Sequence, residues 1–242
     1  MYEEQFPTHG GPPAETSPRP FGEVPPLWLK IFHMTEEFFA LEAPRASGSN
    51  VLISVLILAV VSAVLSAISA GISTLIGGSQ MAGLPSEYQE TFAASAGGMV
   101  VCSLCGGLIG TLLSFYLSNA VVYLGARIFG GSGDFGTQAY LQSLFVVPVG
   151  IVTSFLSLVY VIPFVGPCLG GLAMLAVAIY AVVLNVRAVK VAHDLTTGKA
   201  VAAIFVPVLV VTVVLACIVI AMLAVLGPAI GNVFSDIVNN LQ

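Results

Sequence analysis

Five stretches of this chain run for about twenty residues or more almost without an ionisable side chain, and no other feature restricts its fold so tightly. They lie at about 51–76, 96–126, 140–162, 168–186 and 201–226. About twenty apolar residues in a helix cover the hydrocarbon core of a bilayer. Inside lipid the backbone must satisfy its own hydrogen bonds, which a helix does within one segment. Composition agrees: 57% of the 242 residues are hydrophobic and 8% charged, where a soluble domain carries roughly a quarter charged. The predicted fold class is all-α, a polytopic transmembrane helical bundle of five spans. Spans three and four are separated by PFVGP, residues 163–167, and together hold more apolar residues than one crossing can use. An antiparallel hairpin of two crossings is expected there.

The basic residues set an orientation. Arg19, Lys30 and Arg45 precede the first span, Arg127 follows the second, and Arg187, Lys190 and Lys199 lie between the fourth and fifth. With five crossings, all seven Lys and Arg fall on one face, and the positive-inside rule makes that face cytoplasmic. The N-terminus is then expected inside, and residues 227–242 form a short non-cytoplasmic tail. Residues 1–26, rich in Pro and Glu, read as a disordered cytoplasmic tail rather than a signal peptide, which needs a basic start followed by an apolar core. Residues 27–45 alternate Trp28, Leu29, Ile31, Phe32, Phe38, Phe39 and Leu41 with polar side chains. The spacing predicts an amphipathic helix in the membrane interface, anchored by Trp28, with Thr35 and the acids after it as a helix start.

Helices in lipid associate through small residues that let backbones approach. Ala59, Ala63, Ala67 and Gly71 recur at every fourth position of span one, Gly106 and Gly110 mark span two, and Gly166 and Gly170 open span four. These are the expected helix-packing faces. Pro148 and Pro207 are expected to distort spans three and five. Between Asn185 and Ala200 the chain is polar, and Arg187, Lys190 and His193 are the candidate contacts to a cytoplasmic partner or to lipid headgroups, with Trp28 beside them at the interface. His193 and Asp194 are candidates to pair with each other.

Several chemistries find no support. The segment GGSGDFG, residues 130–136, has glycines but no lysine, so it lacks the P-loop pattern, and its DFG has no kinase context around it. It reads as a flexible turn. No carboxylate pair or H-E-x-x-H motif stands in the spans, so no enzymatic activity, cofactor, nucleotide or nucleic-acid partner is expected. Four cysteines are present. Cys102 and Cys105 share a helix face, and packing is their ordinary use, with a redox or metal role as the alternative.

The run FGGSGDFGTQAYLQSLFVVP, the hairpin with its proline turn, HDLTTGKA before the last span and TEEFF before the first resemble the Yip family, membrane proteins named for interacting with Ypt/Rab GTPases. The resemblance covers about residues 26–226. It implies five spans with a cytoplasmic N-terminus. The DLYGP motif of eukaryotic members is absent, so Rab binding is not implied, and the chain is more similar to prokaryotic members. The expected function is a non-enzymatic adaptor, assembly factor or accessory subunit in the prokaryotic cytoplasmic membrane, packing with other integral membrane proteins or with itself. The alternative is a small transporter or channel component for a neutral or lipid-like solute, with a cavity lined by Asn119, Thr153, Tyr160 and Asn185.

Overall fold

The computed structural model describes residues 17–81, 83, 85–160, 162 and 166–240. Among them all regular structure is helical: α1 (Val24–Trp28), α2 (Glu36–Glu42), α3 (Gly48–Met81), α4 (Ser86–Ile128), α5 (Phe135–Val159), α6 (Gly171–His193) and α7 (Thr197–Asn240). Helices α3 to α7 are the five that are long and apolar enough to cross a membrane. A single π-helical turn, Gly166–Gly170, leads into α6. Most of the predicted 163–167 turn lies outside the described residues, but α5 and α6 do pack against each other.

The five long helices close into a ring. Helix α3 packs on α4 and α5, α4 also on α7, and α6 on α5 and α7. Helix α7 thus seals the bundle between α4 and α6. Two crossings in this ring demand glycine or a small residue. At Gly107 a Cβ would stand 2.6 Å from the Ala63 Cα, and at Gly125 it would fall onto the Ala203 carbonyl and 2.6 Å from Pro207 Cγ. The α3–α4 and α4–α7 contacts are therefore backbone approaches of the kind that hold helices together in lipid.

The buried core lies towards one end. Val51, Val55, Phe115, Leu141, Leu144, Phe145 and Leu184 form the larger cluster with Val24, Leu27, Met34 and Phe39 of the N-terminal segment. A second joins Val122, Ala126, Val189, Ala200, Ala203 and Ile204 of α4, α6 and α7. Every described side chain of α7 from Val208 to Pro228 is exposed. A helix apolar all round with no protein on it is what a lipid-facing span requires.

The N-terminal segment, where an amphipathic interfacial helix, in one piece or two, was expected over 27–45, is divided. It folds as α1, a 3-10 turn at Ile31–His33, α2 and a second 3-10 turn at Ala43–Arg45. Pro25 and Pro26 occupy the opening turn of α1, where a missing N–H costs nothing. Met34 leaves helical geometry at ψ 79°, and Thr35 then caps α2 by accepting from the Phe38 N–H at 3.3 Å. The same proline-rich sequence that predicted a disordered tail to residue 26 is structured from Arg19 onward, because Arg19 finds a buried carboxylate partner in Glu42. Residues 1–16 of that expected tail lie outside the described residues. At the other end, residues 227–240 continue α7 rather than forming a separate tail.

Candidate functional site

The segment from Arg19 to Arg45 forms a cap over one end of α5 and α6, and a polar seam stitches it down. Arg19 donates from Nε to Glu42 Oε2 at 2.9 Å and from Nη1 to Glu23 Oε2 at 2.8 Å. Its Nη2 reaches the other Glu42 oxygen at 2.5 Å. Tyr140 at the start of α5 donates its hydroxyl to Glu42 Oε2 at 3.1 Å. The side chains of Arg19 and Glu42 are 12% and 6% exposed, so the pair stands nearly out of water and needs all of these hydrogen bonds. Burial disfavours the Arg19 charge, but the hydrogen bond and charge of Glu42, with Tyr140 and Glu23 behind it, outweigh that and hold the guanidinium above its usual range. Asn50 at the head of α3 donates to the Arg19 carbonyl at 2.7 Å.

Helix α6 supplies the other half of the seam. Tyr180 donates to the Ile31 carbonyl at 2.8 Å, Arg187 to the Met34 carbonyl at 3.1 Å, and Lys190 meets Glu36 Oε2 at 2.6 Å. Met34 follows the 3-10 turn, so its carbonyl lies free for a cation to take up. Deeper in, His193 Nε2 bonds Gln138 Oε1 at 2.8 Å, and Gln138 Nε2 donates to the Asn119 carbonyl at 2.9 Å. This ties α6, α5 and α4 together through side chains that are all buried. Gln142 donates to Asn185 at 3.0 Å one turn further along α5.

The glycine-rich loop is a fixed cap, not a flexible turn. Gly130 has φ +89°, Gly130 N–H donates to the Arg127 carbonyl at 3.2 Å, and Gly131 N–H to the Ala126 carbonyl at 2.8 Å. These two bonds make a Schellman ending for α4. A Cβ at Gly131 would stand 2.8 Å from His193 Cβ, and one at Gly133 would fall onto the Ala192 carbonyl. The loop therefore lies directly on the end of α6. Asp134 then caps α5: its carboxylate accepts from the Thr137 N–H at 3.0 Å and from the Thr137 hydroxyl at 2.5 Å. The Thr137 hydroxyl, aided by the Thr137 and Gly136 amides and opposed by partial burial, holds the Asp134 carboxyl below its usual range.

The sequence-derived candidates separate into two groups here. Ala59 and Ala63 are buried inside the chain, with Ala63 against Gly107 of α4. Ala67 is half-buried. A Cβ at Gly166 would fall onto the Val159 carbonyl and one at Gly170 would stand 3.1 Å from the Tyr160 ring, so both serve the α5–α6 hairpin. Gly71, Gly106 and Gly110 have nothing within 4 Å of a Cβ. Arg187, Lys190 and His193 are engaged with the chain's own cap and helices, and His193 pairs with Gln138 rather than Asp194. Trp28 packs half-buried against the core, and its indole N–H has no acceptor among the described residues. The residues proposed to line a solute cavity do not converge. Asn119 and Asn185 are bonded as above, Thr153 bonds the Gly150 carbonyl of its own helix at 3.0 Å, and Tyr160 lies at the opposite end of α5. All four cysteines are free.

Of Arg19, Glu42, Gln138, Tyr140 and Gln142, the sequence marks Arg19 only as one of the basic residues that set orientation, and none of the five as a site residue. Three of them, at positions 138, 140 and 142, give the start of span three a polar residue on every second position, a signal that a helix entering lipid carries partners there.

Five apolar helices in a closed ring, capped at one end by a polar-stitched segment, define a polytopic helical membrane protein. The Yip1 domain family matches residues 31–226, most of the chain, and the protein belongs to that family. The match begins at the 3-10 turn of the cap and ends within α7. Comparison with curated proteins and with solved structures returns no match.

Proposed function

We propose that this chain is a non-enzymatic adaptor or accessory subunit that receives another transmembrane helix on the outer face of α4. The observation that supports the reading is the state of Gly106 and Gly110. Both are exposed, stand one turn apart and have no atom within 4 Å of a Cβ, while Gly107 between them is already used against α3. A glycine face left open in lipid is one on which a second helix can approach closely. The helix comes from another integral membrane protein or from a second copy of the chain. The basic end carrying the cap faces the cytoplasm under the positive-inside rule, in a prokaryotic cytoplasmic membrane.

The test is a pair of variants, Gly106→Leu with Gly110→Leu, extracted in mild detergent and sized by native mass spectrometry. A Cβ at either position has nothing within 4 Å and both positions are exposed, so the thermal midpoint is expected to hold. The complex is expected to fall to the mass of the single chain. An unchanged complex mass overturns the reading.

A further inference from the structure

We infer that a crevice between α3, α4 and α5 is a binding site for the polar end of an uncharged, hydroxyl-headed lipid. The crevice holds about 240 Å³, with Leu58 of α3 and Val146 of α5 as apolar walls and Ser114, Ser118, Asn119 and Gln142 as polar ones. Polar side chains at membrane depth are costly unless their hydrogen bonds are met. Where they line an open space, they mark a place for a partner.

What the crevice presents is acceptors. Ser114 gives its hydroxyl proton to the Thr111 carbonyl at 3.1 Å and Ser118 to the Phe115 carbonyl at 3.0 Å. Both serine oxygens therefore keep lone pairs for an outside donor. Gln142 is only 4% exposed. Its amide N–H donates to Asn185 at 3.0 Å, and no donor among the described residues reaches its Oε1. A buried acceptor left unpaired is unfavourable, so the ligand has to donate. None of the described lining side chains is ionisable, so neither a phosphate nor an ammonium finds a counter-charge there. A hydroxyl donates without bringing a charge.

Depth and size select a lipid over a soluble alcohol. Asn185, the partner of Gln142, stands two residues inside Arg187 on α6, so the crevice begins just beneath the cationic end of the bundle. Thr111 lines its lower end, seven residues from Ser118 and so about 10 Å deeper at 1.5 Å per residue. Ser114 and Ser118 are exposed, and beside them Leu113 and Leu117 present 62% and 59% of their surface. A mouth with leucines on its rim at this depth opens into the acyl layer. The volume lies below the ~300–1,000 Å³ of sites that enclose a whole small ligand. It takes a glycerol-sized head and leaves the acyl chain in the surrounding lipid. The crevice lies beside the Gly106 and Gly110 face of α4 and not on it, so a single chain with no partner helix binds the lipid as well.

Three molecules that share an oleoyl chain test the site. Full-length protein in mild detergent is titrated with monooleoylglycerol, methyl oleate or oleoyl lysophosphatidate, and adducts are counted by native mass spectrometry. Monooleoylglycerol is expected to saturate at about one per chain. Methyl oleate, which has no donor, and the charged lysophosphatidate are each expected to bind about ten-fold more weakly or worse. Ser114→Ala with Ser118→Ala removes two acceptors at exposed positions. That variant is expected to keep its thermal midpoint and to raise the half-saturating monooleoylglycerol concentration about ten-fold. Gln142→Leu, which deletes the buried acceptor, is expected to weaken binding by a similar factor. Equal binding of monooleoylglycerol and methyl oleate shows only partition of the acyl chain and overturns the site. Tighter binding of lysophosphatidate, wild-type affinity in both variants, or no saturable adduct overturns it as well.

Discussion

Glu42 accepts from Arg19 and Tyr140 at once, and its loss is expected to be felt through Arg19. Removing Glu42 leaves the nearly buried Arg19 with only the exposed Glu23 as its charge partner, and breaking a buried pair costs up to about 3–5 kcal/mol. Glu42→Ala is expected to lower the thermal midpoint in detergent strongly. Tyr140→Phe, which deletes one hydrogen bond, is expected to cost about 1 kcal/mol. Equal midpoints for the two variants would show that the cap is held by its apolar contacts alone. Asp134 gives a pH signature. Its folded-state carboxyl lies below the ordinary value, so its stabilising contribution is complete above the unfolded pKa of about 3.9. That contribution is lost as pH falls through the folded value. Asp134→Ala is expected to cost about 1 kcal/mol at neutral pH, with the gap to wild type closing below about pH 4 when melting is followed down the acid range. Thr35 as a cap and the acids after it were legible from sequence. Arg19 to Glu42 was not, since nothing local ties residues that far apart.

At the scale of elements, the small-residue faces divide between internal packing and open surface. Gly125→Val puts a branched side chain into the Ala203 carbonyl and Pro207, where α4 and α7 cross. Overpacking of this kind costs about 1–3 kcal/mol, and the variant is expected to melt earlier and to lose protection of α7 from proteolysis. Gly106→Ala meets nothing in the chain and is expected to melt within about 0.5 kcal/mol of wild type. The spacing of small residues does not distinguish a face packed inside the chain from an open one, because the four-residue repeat is the same whichever neighbour fills it. Gly107 and Gly125, which carry the tightest crossings, stand outside the repeat and became visible only with the partner helices in place.

The whole molecule is polarised. Its polar seam, cap and glycine loop all gather at the end where α4 and α6 finish and α5 and α7 begin, while α7 beyond Pro207 stands bare. The orientation we propose from the positive-inside rule puts that end in the cytoplasm. In a cysteine-free background, Ser132→Cys on the exposed loop is expected to react with a membrane-impermeant thiol reagent only after the cells are opened. Labelling of intact cells would reverse the orientation.

The apolar runs alone determined that the chain is a five-helix membrane protein, since a continuous apolar run of about twenty residues satisfies its backbone in lipid as a helix, where a barrel strand is about half as long, and length counts the crossings. The basic residues likewise fell on alternate loops, and all belong to one end of the fold. Tertiary structure decided the rest. It placed α7 between α4 and α6 and turned a proline-rich stretch into a docked cap. It also bonded Arg187 and Lys190 to that cap and His193 to Gln138. The physical reason is range. Hydropathy is a property of consecutive residues and is written along the chain. A buried ion pair or a glycine crossing depends on which distant backbone arrives beside it, and lipid-exposed helices give no periodic signal of which face that will be.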